Sequence, residues 1–419
     1  MRGDEAHAIG SLVADGIGGT TERAHELHRA VAGRVFGVLG PPSDPIRGAH
    51  DAVSGAVYTG VRMAAGAGSR LAAFAVASTR PADAPALLDH PRAGGAVGAL
   101  NGILGDRLHQ RESVLALPMT IRANGRDVPL TPAALAAAHP QATDRVVVFL
   151  HGLCETEDSW KSGTAQDDGP PRPTYGERLQ QDLGLSPVLV RYNSGRRVFD
   201  NGRELDGLLH ELVTHWPCQV REIVLIGHSM GGLVIRSACH EAHASRRPWR
   251  QRLTHVVMLG TPHLGAPLEQ RVNQAVRIMR RIPEALPIVS VLDLRSAGIR
   301  DLRFGALTEQ DAGAHDPDHI SDPCADVPLL DDVRHCSVYA TLANRHDGLA
   351  GRLVGDLLVY HTSATGAGRG RRIAFTTQDT IHLGGLSHFA LLSHPRVYEH
   401  LHDWLAEVRP AVPALAQRH

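Results

Sequence analysis

Short apolar runs alternate with amphipathic segments over most of the chain after residue 113. The runs are rich in β-branched residues, and they cover residues 145–150, 187–193, 222–227, 255–260, 338–343 and 372–377. Strands that are apolar on both faces are typical of a parallel sheet with helices on both sides. Helix-like segments fit between the runs, so the pattern predicts a mostly parallel, doubly wound sheet.

A hairpin and a helical region precede these strands. The segment "VLALPMTIRANGRDVPL" predicts a β-hairpin, because the dipeptide Asn124-Gly125 suits a tight turn with positive φ. Further towards the N-terminus, "GPPSDP" and "STRPADAP" separate helix-like runs at residues 20–39, 46–77 and 94–108. We therefore expect a helical N-terminal region over residues 1–112 and an α/β domain over residues 113–419.

The interval at residues 267–335 interrupts the alternation of strands and helices. It holds an amphipathic piece, "LEQRVNQAVRIMRRIPEALPIV", and a polar stretch, "EQDAGAHDPDHISDPCADV". An insertion of this length between two strands is more typical of a cap over a site than of a plain connection. The polar stretch has no D-x-D-x-D-G loop and no C-x-x-C pair, so we predict no metal site in it.

Composition narrows the class of protein. Apolar residues make up 43% of the 419 residues and the net charge is −1, which fits a globular protein and gives no reason to expect nucleic-acid binding. Five scattered cysteines without a C-x-x-C pair indicate reduced thiols. The N-terminus has no apolar signal segment, and no apolar run approaches the ~20 residues that a membrane span needs. We expect a cytoplasmic protein, with any membrane contact being peripheral and through the N-terminal helices.

The stretch "REIVLIGHSMGGLVIRSA" places Ser229 between an apolar strand and an apolar helix. In a G-x-S-x-G turn the serine adopts a strained backbone conformation that lifts its hydroxyl above the sheet, and the flanking glycines avoid collisions. The strand–turn–helix context is met here, so the pattern predicts a nucleophilic serine. An oxyanion pocket would then take one N–H from Met230 and a second from Leu153, in the loop "HGLCETEDSW" after an earlier strand.

A nucleophilic serine also needs a carboxylate and a histidine, which should follow it in that order. Asp347 in "NRHDGLAG" and Asp356 in "VGDLLVYHTSA" are both candidates for the acid, and spacing alone does not separate them. Among the histidines after Asp356, His388 lies in the loop "LGGLSHFALL" beyond the last predicted strand. The others fall too early, in a strand end, or in the terminal helical segment, so we predict His388 as the base.

These motifs resemble the α/β-hydrolase superfamily. The segments "FLHGL", "GHSMGG", "LGTPHLGAP", "VGDLLV…SA" and "SHFALLSHPRVYEHLHDWL" are most similar to the esterase/lipase branch with the bacterial triacylglycerol lipases and the GPI-inositol deacylase-like proteins. The resemblance covers about residues 113–408. It implies Asp356 as the acid with Asp347 in reserve, although Leu357 replaces the usual glycine. It also implies His388 as the base and Leu153 as the second oxyanion donor.

The resemblance implies an α/β-hydrolase fold with a cap insertion and two-step acyl transfer without a metal or organic cofactor. Ser229 would attack an ester carbonyl, His388 would take its proton, and water would release the acid from the acyl-enzyme. We therefore expect a hydrolase that cleaves carboxylic esters of small or lipid-like, hydrophobic substrates. An acyltransferase or a thioesterase could use the same residues, and a non-catalytic lipid- or membrane-binding protein is a further alternative.

Overall fold

The structure is a computed structural model, and it describes most of the chain. The described residues are 1–39, 41, 44–79, 81, 87, 93–164, 171–266, 269, 276, 295–311, 322–342, 359, 361–368, 371–375 and 379–407. Both candidate acids, Asp347 and Asp356, and much of the predicted cap at 267–335 lie outside these residues.

One eight-stranded sheet organises the described part of the α/β region. Its strands are β1 Thr120–Ala123, β2 Arg126–Val128, β3 Arg145–Leu150, β4 Ser186–Arg191, β5 Glu222–His228, β6 Leu253–Leu259, β7 Arg334–Thr341 and β8 Thr380–Gly384. The strand order is β2-β1-β4-β3-β5-β6-β7-β8. Strands β3 to β8 pair in parallel, whereas β1 pairs antiparallel with both β2 and β4. The predicted mostly parallel sheet is confirmed.

Helices cover both faces of the sheet. They are α4 Pro132–Ala138, α5 Tyr175–Leu183, α6 Val198–His215, α7 Met230–Ala244, α8 Ala297–Asp301, α9 His361–Ala364 and α10 Pro395–Ala406. Alternate residues of β5 enter different cores: Leu225 packs in the core that contains α6 and α7, and Ile226 packs in the core that contains α5 and α10. Because both faces of the sheet are buried, the strands are continuous apolar runs in the sequence.

Of two further strand predictions, one is confirmed and one is wrong. The hairpin around Asn124-Gly125 is confirmed, and both turn residues have positive φ, 51° and 76°. The strand predicted at 372–377 is wrong: its described residues make only an isolated bridge, and the last strand in the described part of the chain is β8. Ile373 packs instead against the turn at Gly366, and the Phe375 ring lies 5.1 Å from the His263 ring. Ile373 and Phe375 are thus half-buried without belonging to a strand.

The N-terminal helices are α1 Gly3–Leu39, α2 Asp44–Ser78 and α3 Gly94–Gln110. Helix α1 begins well before the predicted residue 20. Its first part packs closely on α2, since a Cβ at Gly10 would lie 2.1 Å from that of Ala73. None of the described helices is long and apolar enough to cross a bilayer.

The chain divides into two compact units, and the division falls within α3. One unit includes Met1–Val97 and Arg107–Ala116, and the other includes Gly98–Asp106 together with the sheet. The boundary expected at residue 112 stays a prediction.

Candidate active site

Ser229 occupies the turn between the central strand β5 and helix α7. Its backbone has φ 52° and ψ −121°, a conformation that side-chain-bearing residues rarely adopt. A Cβ at Gly227 would lie 2.6 Å from the nitrogen of Gly232, and one at Gly231 would lie 2.6 Å from the carbonyl oxygen of His151. Both glycines are therefore required by close backbone approach, as expected for a serine lifted above the sheet.

Ser229 is held against the end of the neighbouring strand. Its backbone N–H donates to the carbonyl oxygen of Leu259, at the end of β6, over 2.8 Å. Met230 is the first residue of helix α7, so its N–H has no partner within the helix. This helix N-terminus favours negative charge beside the serine.

The loop after β3 lies on the other side of Ser229. A Cβ at Gly152 would lie 3.0 Å from that of Ser229. The N–H of Gly152 donates to Glu155 Oε2 over 2.7 Å, and the N–H of Cys154 donates to Ser194 Oγ over 3.1 Å. Among the described residues, no hydrogen-bond acceptor lies within reach of the Leu153 N–H. The Leu153 N–H thus differs from those of its two neighbours, and the oxyanion role of Leu153 and Met230 stays a prediction.

His151 fixes the start of this loop. Its ring is stacked on that of Tyr192 at 4.3 Å between centroids, and its Nε2 accepts from the Tyr192 N–H over 3.2 Å. Its Nδ1 donates to the carbonyl oxygen of Gly152 over 2.9 Å. Burial lowers the pKa of His151, so the ring is neutral and carries its one proton on Nδ1.

His388 begins a short 3₁₀ helix, His388–Leu392, directly after β8, and its side chain is buried. Its ring lies against Gly260, the residue that follows Leu259. A Cβ at Gly260 would lie 2.9 Å from His388 Cε1 and 3.0 Å from Nδ1, and Gly260 itself has φ 62°. Ser229 and His388, 159 positions apart in sequence, therefore both contact the turn at the end of β6.

Other histidines of the α/β region lie elsewhere. His382 is in β8, with Nε2 2.8 Å from Thr341 Oγ1, and His394 caps α10. His263 is completely buried with Nδ1 3.4 Å from an Arg236 nitrogen, and burial, followed by Arg236, keeps its pKa well below the usual value. It is therefore poorly suited to act as a second base.

A buried contact between a carboxylate and an imidazole beside the serine was missed by sequence reasoning. Glu155 Oε2 lies 3.1 Å from Nδ1 of His228, the residue before Ser229, and the same oxygen accepts from Gly152. The His228 side chain is 0% exposed and that of Glu155 is 11% exposed. Burial opposes ionisation of Glu155, but His228 and the Gly152 N–H outweigh it and lower the Glu155 pKa to about 2.

Helix α3 supports the predicted oxyanion loop, residues 151–156 after β3, through a glycine-lined face that was also missed. A Cβ at Gly102 would lie 2.3 Å from Cys154 Sγ and 2.8 Å from the Cys154 backbone, and one at Gly98 would lie 3.0 Å from the Glu155 carbonyl oxygen. The spacing of Gly98 and Gly102, four residues apart on one helix face, is a signal that could have indicated a close approach of some element. Burial raises the pKa of Cys154, which is consistent with a packing thiol and not a nucleophile.

The described part of the predicted cap packs near Met230. The N–H of Gly298 in α8 donates to the carbonyl oxygen of Gly195 over 2.9 Å, and a Cβ at Gly298 would lie 3.1 Å from Met230 Cε. In the part of the chain that the structure describes, no three His, Cys, Asp or Glu residues converge as metal ligands.

A mostly parallel eight-stranded sheet with a serine on the turn between a central strand and its helix defines the α/β-hydrolase fold, to which many esterases and lipases belong. The chain has this fold, with helices preceding it. Residues 203–286, which contain the serine turn, match the family model of the PGAP1-like alpha/beta domain.

The chain is also similar to solved structures, although no curated protein matches it. The mature form of the Bacillus licheniformis lipase BlEst2 is 17% identical over 62% of this chain and 91% of that chain, with a TM-score of 0.39. The product of gene lin2722 of Listeria innocua is 12% identical over 64% and 95%, with a TM-score of 0.37. A hyperthermophilic esterase from the archaeon Pyrobaculum calidifontis is 14% identical over 64% and 75%, with a TM-score of 0.35.

Proposed function

We propose that the protein is a serine hydrolase that cleaves carboxylic esters of hydrophobic or lipid-like substrates. The observation that carries the proposal is the convergence of Ser229 and His388 on the turn at Leu259 and Gly260. Ser229 is the nucleophile and His388 is the general base that takes its proton. The carboxylate that orients His388 is Asp356, with Asp347 as the alternative.

The oxyanion of the tetrahedral intermediate is stabilised by two backbone N–H groups in this proposal. Leu153 and Met230 provide them, which is supported by the engagement of the neighbouring Gly152 and Cys154 N–H groups elsewhere. The N-terminus of α7 adds to the stabilisation of negative charge. After the alcohol leaves, His388 activates water, and the acyl-enzyme is hydrolysed to the free acid and Ser229.

Turnover of p-nitrophenyl esters with short and long acyl chains tests this activity. We expect the parent to release p-nitrophenol and Ser229→Ala to lose about 10⁴-fold or more in kcat. Ser245→Ala, at the exposed far end of the same helix, is the matched control and should keep the parent rate. Equal turnover by the parent and Ser229→Ala would contradict the proposal.

The proposal extends to peripheral contact between the N-terminal helices and a lipid surface. Ile46, Val53, Val57, Leu71 and Phe74 are each 57% to 69% exposed on α2. At about 100° per residue they fall on one face of the helix, within an arc of roughly 100°. An exposed apolar face of this length is unusual on a protein surface and is suited to the interfacial region of a bilayer.

Co-sedimentation of the full chain with phospholipid vesicles tests this contact. Replacing Val53 and Leu71 together by Glu should abolish pelleting if the face binds the bilayer. The charge-matched control replaces Ile103 and Val114 by Glu. These two residues lie outside α1 and α2, are 48% and 53% exposed, and the control should pellet as the parent does. No pelleting of the parent above background would contradict the contact.

A further inference from the structure

His228 lies between two hydrogen-bond acceptors. Its Nδ1 is 3.1 Å from the carboxylate oxygen Oε2 of Glu155, and its Nε2 is 3.3 Å from the main-chain carbonyl oxygen of His388. The imidazole is completely buried, so water does not compete for either nitrogen. The residue therefore joins the loop after β3 to the main chain of the proposed base.

The chemistry of these two partners defines the protonation of the ring. A carbonyl oxygen and an ionised carboxylate accept hydrogen bonds and donate none. The oxygen Oε2 of Glu155 that faces His228 also accepts from the Gly152 N–H over 2.7 Å, so it acts as an acceptor, as an ionised carboxylate oxygen does. Both ring nitrogens of His228 must then carry a hydrogen, which makes the ring an imidazolium whose charge is balanced by Glu155.

His151, in the same loop, shows the opposite arrangement. Its Nε2 accepts from the N–H of Tyr192, so only Nδ1 carries a hydrogen and the ring is neutral. The two buried histidines are therefore distinguished by their partners and not by burial, which is complete in both.

We infer that His228 is a permanent imidazolium paired with Glu155, and that the pair is a positioning device that fixes the oxyanion loop relative to the main chain of His388. One carboxylate oxygen accepts from both the Gly152 N–H and His228, so the loss of its charge weakens both connections together. The catalytic meaning of this inference rests on the proposed ester hydrolysis, whereas the protonation of His228 does not.

The described groups that face the His228 ring are few. Besides Glu155, the titratable neighbour is the His388 ring, with centroids 4.7 Å apart. The remaining ring neighbours, Trp160 and Phe389, are uncharged and lie 6.5 Å and 6.4 Å away. Among these described groups Glu155 is the one carboxylate, and it contacts Nδ1 of His228 directly.

Nitrogen NMR of the full chain with ¹⁵N-labelled histidine tests the protonation directly. At about pH 8, above the ordinary histidine pKa of about 6.5, His228 should show two protonated ring nitrogens and His151 one. The resonances are assigned by their loss in His228→Asn and His151→Asn. An unprotonated ring nitrogen in His228 at this pH would overturn the inference, whether or not the protein hydrolyses esters.

Ester kinetics of Glu155→Gln test the positioning role. We expect kcat to fall about 10- to 100-fold with KM within about twofold, because the oxyanion donors move but substrate binding remains. Glu222→Gln is the matched control: Glu222 is at the other end of β5, pairs with Arg145 and His255, and also has a pKa lowered to about 2. It should keep the parent kcat. Equal losses in the two variants, or no loss in Glu155→Gln, would overturn the positioning role.

Discussion

The backbone N–H of Ser229 donates to the carbonyl oxygen of Leu259, and the next residue, Gly260, lies against the ring of His388. The proposed nucleophile and the proposed base thus both contact the end of strand β6. Its geometry depends on a residue without a side chain, because a Cβ at Gly260 would lie 2.9 Å from the imidazole. This relationship leads to the first prediction.

Gly260→Ala should displace His388 and lower kcat/KM by about 100-fold, since a shift of about 1 Å at a reacting group is costly. Gly184→Ala is the control for backbone strain: its φ of 67° is close to the 62° of Gly260, but a Cβ there meets no atom within 4 Å. It should lower stability by about 1 kcal/mol and leave kcat/KM unchanged. Equal kinetic losses in the two variants would contradict the placement of His388.

Helix α3 offers a second matched pair of glycines. Gly102→Ala should destabilise the protein by about 1–3 kcal/mol and lower kcat, because the new methyl group would overlap the Cys154 backbone in the predicted oxyanion loop. Gly95→Ala on the same helix meets open space and should be neutral or stabilising by up to about 1 kcal/mol. Urea unfolding and ester kinetics check both effects. A parent-like Gly102→Ala would show that the loop does not depend on α3.

Much of the fold could be predicted from sequence because its signals are local. The strand at 145–150 was predicted with the bounds that β3 has, and the Asn124-Gly125 hairpin and the Ser229 turn follow from runs of adjacent residues. The segment at 372–377 has the same local signal, but Ile373 and Phe375 are only half-buried, and they contact Gly366 and His263 instead of a neighbouring strand. A local apolar pattern is the same in such an irregular segment and in a strand, so the sequence alone does not separate the two.

The supporting parts of the site could not be predicted because they depend on spatial proximity alone. Glu155 and His228 are 73 residues apart, and a lone glutamate in a loop gives no sign of a partner. Gly102 indicates only a close approach of some element, and not that the element is the oxyanion loop. The choice between Asp347 and Asp356 stays a prediction, since both lie outside the described residues.

The acid can be identified by substitution. Asp356→Asn should lower kcat by about 10⁴-fold, as expected when the histidine loses its orienting carboxylate, and Asp347→Asn should stay within about threefold of the parent. Steady-state ester kinetics of the two single variants decide the question. The reverse pattern would assign the role to Asp347, and two parent-like variants would exclude both.

The stability of the fold should depend on pH through Glu222. Burial opposes its ionisation, but hydrogen bonds from His255 and Arg145 lower its folded-state pKa from 4.5 to about 2. A depressed carboxyl pKa contributes stability that is complete above the unfolded pKa and is lost as the pH falls towards about 2. Glu222→Gln should therefore cost about 2–3 kcal/mol near neutral pH and almost nothing near pH 2. Urea unfolding across this range checks the window, and a cost that does not change with pH would contradict it.

The most direct test of a nucleophilic Ser229 is covalent labelling with a fluorophosphonate, followed by mass spectrometry of the proteolysed chain. Attack by the hydroxyl on phosphorus expels fluoride and leaves a phosphonyl group on the oxygen. We predict one adduct per chain, on the peptide that carries Ser229, formed by the parent and lost in Ser229→Ala. A chain that takes up no label, or that carries it on a different residue, would contradict the assignment of Ser229 as the nucleophile.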